Sequence, residues 1–372
     1  MDYDLNEEQN MLRESARRFL KEHCPSTYVR DMAGDERGYS DGLWQDMADL
    51  GWMGLMIPEQ WDGSGMDFLH LAVLLREMGY FCLPGPFFST VVLGGLTLLE
   101  AGREDQKEAL LPGLAAGKRL LTLAWLEEEG TYSPEGIRLK ADHKKGYRLT
   151  GKKLFVPYAH GSDILCAART GENPADISLF RVPSGSPGLH LTPMQTLAGD
   201  KQYAMTLEEV GLAQENLLGN LNQGWPVLQK VLLMAAVAKA AEMSGGARRV
   251  MEMTVTYVKE RSQFGRPVGA FQAVQHHCAN MLTLAETLQF MTEQAAWRIS
   301  AGLPFEKEAI MCKAWASDSY RRLAALGHQC IGGMGFMEEF DLQLYFKQAK
   351  AAEQMFGDAD FHREGLAQTM GL

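Results

Sequence analysis

Residues 261–272 read RSQFGRPVGAFQ and join two long stretches whose apolar residues recur with helical spacing. The segment carries Arg261 and Arg266 in a chain whose net charge is −11. A guanidinium offers paired N–H donors that suit phosphate oxygens, and a glutamine at a helix start, here Gln272, can bind an adjacent oxygen. A plain helix connection with solvated arginines is the alternative interpretation.

A second segment, HQCIGGMGFMEEF at 328–340, follows another helical stretch. Its glycines, Gly332, Gly333 and Gly335, can end a helix and let backbone amides approach a ligand closely. The spacing differs from a dinucleotide-binding fingerprint, and no strand precedes it. A glycine-rich helix stop without a ligand is the alternative here.

Outside these segments the chain divides into three regions, because 372 residues exceed one ordinary core. Residues 1–118 are predicted to be helical, beginning with an amphipathic helix that Asn6 caps and whose apolar stripe includes Met11 and Leu20. Residues 119–218 contain short runs such as YRLTGKKLFVP and ISLFRVP, typical of antiparallel strands, with DHKKGY as a hairpin turn. Residues 219–372 contain four long helical segments, which favour an antiparallel bundle.

Composition excludes several classes of protein. An acidic chain without a basic face is not expected to bind nucleic acid. The longest apolar runs, such as VLLMAAVA, are far shorter than the ~20 residues of a membrane span, and the acidic start lacks the pattern of a secretory signal. Six scattered cysteines without a CxxC pair predict a reducing cytoplasm, and adjacent His276 and His277 diverge too far on a helix to share a metal.

Together the two glycine-containing segments resemble the acyl-CoA dehydrogenase family. The family pattern is R-x-x-F-G, then F-Q about seven residues later, then Q-x-x-G-G-x-G-F with a following glutamate. IPEQWDGSG at 57–65 and LTGKKLFV at 149–156 extend the resemblance over the whole chain. It implies an α+β multidomain fold: an N-terminal helical domain, a middle antiparallel β domain and a C-terminal four-helix bundle, assembled as a tetramer.

The resemblance also implies FAD as cofactor, an acyl-CoA thioester as substrate and an electron-transfer flavoprotein as partner. In the family, the matching residues hold the pyrophosphate and adenosine half of a neighbouring subunit's FAD; here they are Arg261, Phe264, Gln272, Gln329 and Gly333. Phe155 matches an aromatic residue that stacks on the flavin ring.

The family's catalytic base does not carry over. Most members remove the substrate's α-proton with a glutamate just before a glycine near the C-terminus, and Phe356 occupies that position. Other members place the base on the first bundle helix, where the count gives Ala235. Neither residue can accept a proton, so Glu353 and Asp358 are the remaining nearby candidates, each with a solvated surface charge as the alternative.

The β region also departs from the family pattern, at positions that bind the flavin. Leu126 stands where the family has threonine, and Pro157 stands where a hydroxyl bonds the flavin. The sequence therefore predicts the base-lacking subunit of a heteromeric acyl-CoA dehydrogenase, of the kind that acts on bulky thioesters such as steroid side chains, paired with a homologous subunit. A self-sufficient homotetramer and an inactive CoA-ester-binding or scaffold protein are the alternatives.

Overall fold

The computed structural model describes residues 4–372. Its contacts form two compact units, which are described separately. The bundle unit contains the described residues through Asp31, then Asp67–Leu83 and Leu233–Leu372. The sheet unit contains Met32–Met66 and Pro84–Leu232. The boundaries inferred from sequence, at 118 and 218, stay a prediction.

The N-terminal third is helical, as expected. Asn6 starts α1 through a capping box: its side chain accepts from the Gln9 amide at 2.8 Å, and the Gln9 side chain accepts from the Asn6 amide at 3.0 Å. Leu20 is buried, but the prediction for Met11 is wrong, since that side chain is 65% exposed. The helices are α1 Glu7–His23, α2 Ser26–Gly34, α3 Asp41–Asp49, α4 Phe68–Tyr80, the π-helix Phe88–Gly95, α5 Leu96–Ala101 and α6 Glu104–Ala115.

The middle region is a mixed sheet with the strand order β6-β7-β3-β2-β4-β5-β8, and β1 pairs with β4. Most pairs are antiparallel, including the β2–β3 hairpin, where His143 pairs with Tyr147. The prediction of a purely antiparallel sheet is wrong for β1–β4 and β2–β4, which run parallel because the chain crosses between them rather than turning back. The strands are β1 Leu121–Ala124, β2 Lys140–His143, β3 Tyr147–Pro157, β4 Asp163–Arg169, β5 Ile177–Val182, β6 Leu189–Met194, β7 Gln202–Leu212 and β8 Leu217–Leu218.

The C-terminal region contains the four predicted long helices and one more, which the sequence interpretation missed. Asp358 caps this extra helix by accepting from the Phe361 amide at 2.9 Å, a signal that its sequence position could have given. The elements are α7 Gly224–Glu260, β9 Ser262–Gln263, β10 Arg266–Pro267, α8 Gln272–Ser300, α9 Glu306–Ile331, α10 Leu342–Gln354 and α11 Ala359–Thr369.

Two glycines allow α4 and α7 to touch along their backbones. A Cβ on Gly79 would lie 1.9 Å from the carbonyl oxygen of Glu242, and one on Gly245 would lie 1.8 Å from that of Arg76. Across the described chain, none of the helices combines the length and the apolar character that crossing a bilayer would require.

Candidate functional site

The arginine-rich segment forms a two-stranded hairpin in which Gln263 pairs with Arg266. Its turn residues, Phe264 and Gly265, have φ of 55° and 77°. A two-residue hairpin turn that matches the twist of its strands requires such left-handed backbone at both central residues. Glycine adopts this backbone freely, whereas for phenylalanine it costs about 1–2 kcal/mol. Phe264 is nevertheless 91% exposed, so its ring gains little burial within the chain in return.

The cationic groups of the hairpin remain directed outward. Arg261 is exposed, and its carbonyl accepts from the Val268 amide at 2.8 Å, which fixes the base of the hairpin. The Arg266 guanidinium lies 4.1 Å from the centre of the Phe271 ring in a cation–π contact. Within residues 4–372 neither arginine forms an ion pair with an acidic side chain, so no carboxylate there competes with an external anion for these guanidiniums.

Gln272 is the first residue of α8 and is exposed. No side chain caps this helix start. The Arg266 guanidinium lies against Phe271, the residue just before α8, so it is close to the positive end of the helix dipole, an arrangement that favours phosphate binding.

The glycine segment leaves its backbone open. Helix α9 ends at Ile331, and Gly332 follows with φ 73°, which a non-glycine residue would adopt only with strain. A Cβ on Gly332 or Gly333 would meet no atom within 4 Å, so this stretch faces open space. Gln329, one turn earlier, is exposed as well.

The two segments lie at the same end of the bundle unit. Cys278, in the second turn of α8, and Cys330, in the last turn of α9, have their thiols close to each other. Tyr257, near the end of α7, contacts Phe340 edge-on at 6.3 Å between ring centres. The hairpin and the glycine segment, which carry five of the six predicted residues, are therefore neighbours.

The sixth predicted residue, Phe155, belongs to the sheet unit. A bulge between Lys153 and Val156 interrupts the pairing of β3 with β7, and Phe155 sits there with φ 55° and 49% exposure. The buried Lys153 ammonium, which the sequence interpretation did not single out, fixes the bulge through Glu127 Oε1 at 2.6 Å. The alternation of β3 already predicts that Lys153 points inward.

The turn at Phe356 is buried, and its carbonyls are hydrogen-bonded. Phe356 is 7% exposed with φ 60°, and its carbonyl accepts from His362 Nε2 at 2.8 Å. The fully buried Lys313 ammonium donates to the carbonyls of Gly357 at 2.7 Å and Glu353 at 3.1 Å and to Ser317 Oγ at 2.8 Å. Burial lowers the pKa of Lys313 from 10.5 to about 7 and that of His362 from 6.5 to about 4.

The two candidate carboxylates near this turn already have structural partners. Glu353 binds Arg321 Nε at 3.1 Å and Lys350 Nζ at 2.6 Å. Asp358 holds the start of α11. Ala235 is fully buried in α7.

This fold matches one family at both ends. Residues 6–118 match the family described as acyl-CoA dehydrogenase, N-terminal domain, and residues 222–371 match acyl-CoA dehydrogenase, C-terminal domain. The chain belongs to the acyl-CoA dehydrogenase family, whose members are oxidoreductases acting on CH–CH bonds with FAD as cofactor. The fold predicted from the sequence is confirmed.

Among particular relatives, the chain is 30% identical to "Probable acyl-CoA dehydrogenase YngJ" of Bacillus subtilis, with 100% of both chains covered. It is similar to a solved variant of the "Tcur3481-Tcur3483 steroid ACAD" at 30% identity and TM-score 0.88, covering 98% of each chain. The ChsE4-ChsE5 complex of Mycobacterium tuberculosis is similar at 25% identity and TM-score 0.91, covering 100% of this chain and 99% of that one.

Proposed function

We propose that this chain is the base-lacking subunit of a heteromeric FAD-dependent acyl-CoA dehydrogenase. The reaction removes a proton from the carbon next to the thioester carbonyl and a hydride from the following carbon. When bound, FAD supplies the hydride acceptor. This chain contributes binding groups for the phosphate half of an FAD whose flavin ring is held mainly by a homologous subunit.

The observation that carries the proposal is the turn at Phe356. A general base must reach the proton it removes and must have an available lone pair. Here an apolar ring occupies the aligned position, and Lys313 and His362 hold its backbone in place. Glu353 is already held in ion pairs with Arg321 and Lys350. These contacts disfavour the self-sufficient enzyme, which would require Glu353 or Asp358 to act as base.

The groups at the hairpin end fit the phosphate half of FAD. Arg261 supplies an unpaired guanidinium, α8 supplies the positive end of its dipole at Gln272, and the open backbone at Gly333 admits close approach. The exposed Phe264 and Gln329 supply a flat apolar surface and an amide for the adenosine end. All five residues are therefore assigned to an FAD bound across a subunit boundary.

The residues of this chain that would contact the flavin ring of FAD fit it less well than the hairpin end fits the phosphate half. Phe155 is exposed and can stack on a flavin, but Pro157 offers neither hydroxyl nor N–H. The Pro157 carbonyl already accepts from Thr122 Oγ1 at 2.6 Å. A flavin ring held by this chain alone would lack a hydrogen bond on that side.

A homologous subunit is the partner that the surface favours. Helices α8 and α9 expose large apolar side chains at 37–45%, namely Leu282, Phe290, Met311 and Trp315. An apolar surface of this kind marks a protein interface. Two similar solved structures bear paired names, ChsE4-ChsE5 and Tcur3481-Tcur3483. Electron transfer to an electron-transfer flavoprotein and residence in the cytoplasm stay predictions.

The test is reconstitution with a homologous chain that carries glutamate at the position of Phe356. The chain alone is expected to bind little FAD and to reduce no artificial acceptor with acyl-CoA. The assembled complex is expected to do both, and a Glu→Gln change in the homologous chain should abolish turnover. Full FAD occupancy and turnover by the isolated chain would overturn the proposal.

Two variants separate the alternatives. Glu353→Gln and Asp358→Asn are expected to leave turnover of the complex within about twofold, whereas a catalytic base would cost on the order of a hundredfold or more. A complex that binds acyl-CoA but never transfers electrons would instead support the inactive binding protein.

A further inference from the structure

Arg30, in α2, contacts the loop at residues 338–341, which forms the end of the glycine segment and leads into α10. Its guanidinium donates to the carbonyl of Glu338 at 3.3 Å and that of Glu339 at 3.0 Å. The other branch pairs with Asp341 Oδ1 at 2.9 Å. One side chain therefore binds three points of a single loop within the bundle unit.

Apart from Arg30, this loop is restrained by the edge-on contact of Phe340 with Tyr257 and by local bonds. Between the short 3₁₀ turn Gly332–Phe336 and the start of α10 at Leu342, the backbone-to-backbone bonds among the described residues are of the turn type, such as Met337 N to Met334 O at 3.2 Å. Asp341 stands at the cap position of α10 but does not cap it. Its carboxylate is instead directed to Arg30.

The chemistry of the contact favours arginine specifically. A planar guanidinium can bind two carbonyls and a carboxylate at once in a fixed geometry, whereas a lysine ammonium is a point charge on a flexible stem. The Arg30 side chain is 27% exposed and that of Asp341 35% exposed, so the ion pair is partly shielded from solvent. The two backbone contacts add geometric restraint that an exposed ion pair lacks.

We propose that Arg30 is a positioning residue that fixes the loop at 338–341 and, through it, the preceding glycine turn at Gly333 for the phosphate half of FAD. The inference rests on the proposed function, because it needs that segment to contact FAD. The Arg30 guanidinium is already bound to the loop at 338–341, and Arg30 acts through that loop. Its loss should therefore weaken FAD binding without changing turnover once FAD is saturating.

The experiment measures the FAD concentration that gives half-maximal activity of the complex with the homologous chain. Arg30→Ala is expected to raise it roughly tenfold, a loss of about 1.4 kcal/mol in binding, with turnover at saturating FAD unchanged. Arg30→Lys should recover only part of the loss, and Asp341→Asn should cause a smaller increase. Arg37→Ala is the control, since Arg37 forms an exposed pair with Asp41 at 2.9 Å.

The outcomes separate this inference from the proposed function. Arg261→Ala is measured in parallel: if it leaves FAD binding unchanged, the proposed function fails. If Arg261→Ala weakens FAD binding and Arg30→Ala does not, only the role of Arg30 is wrong.

Thermal unfolding of the FAD-saturated complex is followed as well. A lower melting temperature with an unchanged FAD requirement would make Arg30 merely structural and would overturn the inference. Should Arg30→Ala fail to fold, Arg30→Lys and Asp341→Asn decide by the same criterion.

Discussion

Two phenylalanines of the bundle unit share a left-handed backbone and differ in everything around it. Phe264 has φ 55° and is 91% exposed, while Phe356 has φ 60° and is 7% exposed. At Phe264 the strain is offset by no burial within the chain, which is typical of a residue kept for an external contact. At Phe356 the turn is held by buried hydrogen bonds, and the side chain packs inside. The comparison indicates that one end of this unit is kept for binding while the aligned catalytic position has become part of the core.

The largest effect on stability is expected at Phe356, the buried phenylalanine. Phe356→Ala removes a buried ring and should lower the free energy of unfolding by about 4 kcal/mol. Chemical denaturation of the isolated chain measures this. An effect below that of the same change at Phe264 would contradict the comparison.

Lys313 is the next test, because its ammonium holds the turn around Phe356. Lys313→Met leaves the carbonyls of Gly357 and Glu353 without their donor and should cost about 3 kcal/mol of stability. Lys307→Met, at an exposed position of the same helix, is the matched control and should change stability by less than about 0.5 kcal/mol. Equal effects would show that the buried bonds do not hold the turn.

The same turn predicts an acid sensitivity. The pKa of His362 is about 4 in the folded chain and 6.5 in its ordinary state. Between these values the unfolded chain binds a proton that the folded chain does not, so stability falls as the pH falls, by about 3 kcal/mol over the window. Denaturation at steps between pH 6.5 and pH 4 measures the slope. His362→Gln should flatten it, and an unchanged slope would assign the sensitivity to other groups.

Lys313 titrates mainly above that window, because its pKa is about 7, and its positive charge contributes to the lowered pKa of His362. It is protonated in both states below that value. Its own contribution appears at alkaline pH, where stability should rise between pH 7 and pH 10.5 as the buried ammonium loses its proton.

The smallest effect on stability is expected at the exposed member of the pair. Phe264→Ala should change the free energy of unfolding by less than about 0.5 kcal/mol, since the ring is exposed. In the complex with the homologous chain, it should weaken FAD binding. A variant that binds FAD normally would remove Phe264 from the binding surface.

The sequence predicted what depends on local pattern. Asn6 and Gln9 signal the start of α1, DHKKGY signals a hairpin, and the glycines at 332 and 333 signal the end of α9. The errors arise where tertiary contacts decide. Met11 has helical spacing yet is exposed, and β1 runs parallel to β4 because of the path of the chain, which no local pattern contains.

The sequence predicted which residue types form the candidate site. It did not predict the distant side chains that hold these residues in place. The family pattern identifies Arg261 and Gln272, but nothing in it predicts that Phe264 is strained. Likewise, Lys313 lies about forty residues before the turn it holds, and Arg30 lies about three hundred residues before its loop. Pairings at such separations depend on the fold and not on spacing along the chain.

The most direct test of the account is the flavin content of the complex with the homologous chain, measured together with turnover. The complex is expected to contain half as many FAD molecules as acyl-CoA dehydrogenase-type chains, with turnover that depends on the glutamate of the homologous chain and on Arg261 of this one. One FAD for every chain, with turnover that survives loss of that glutamate, would contradict it.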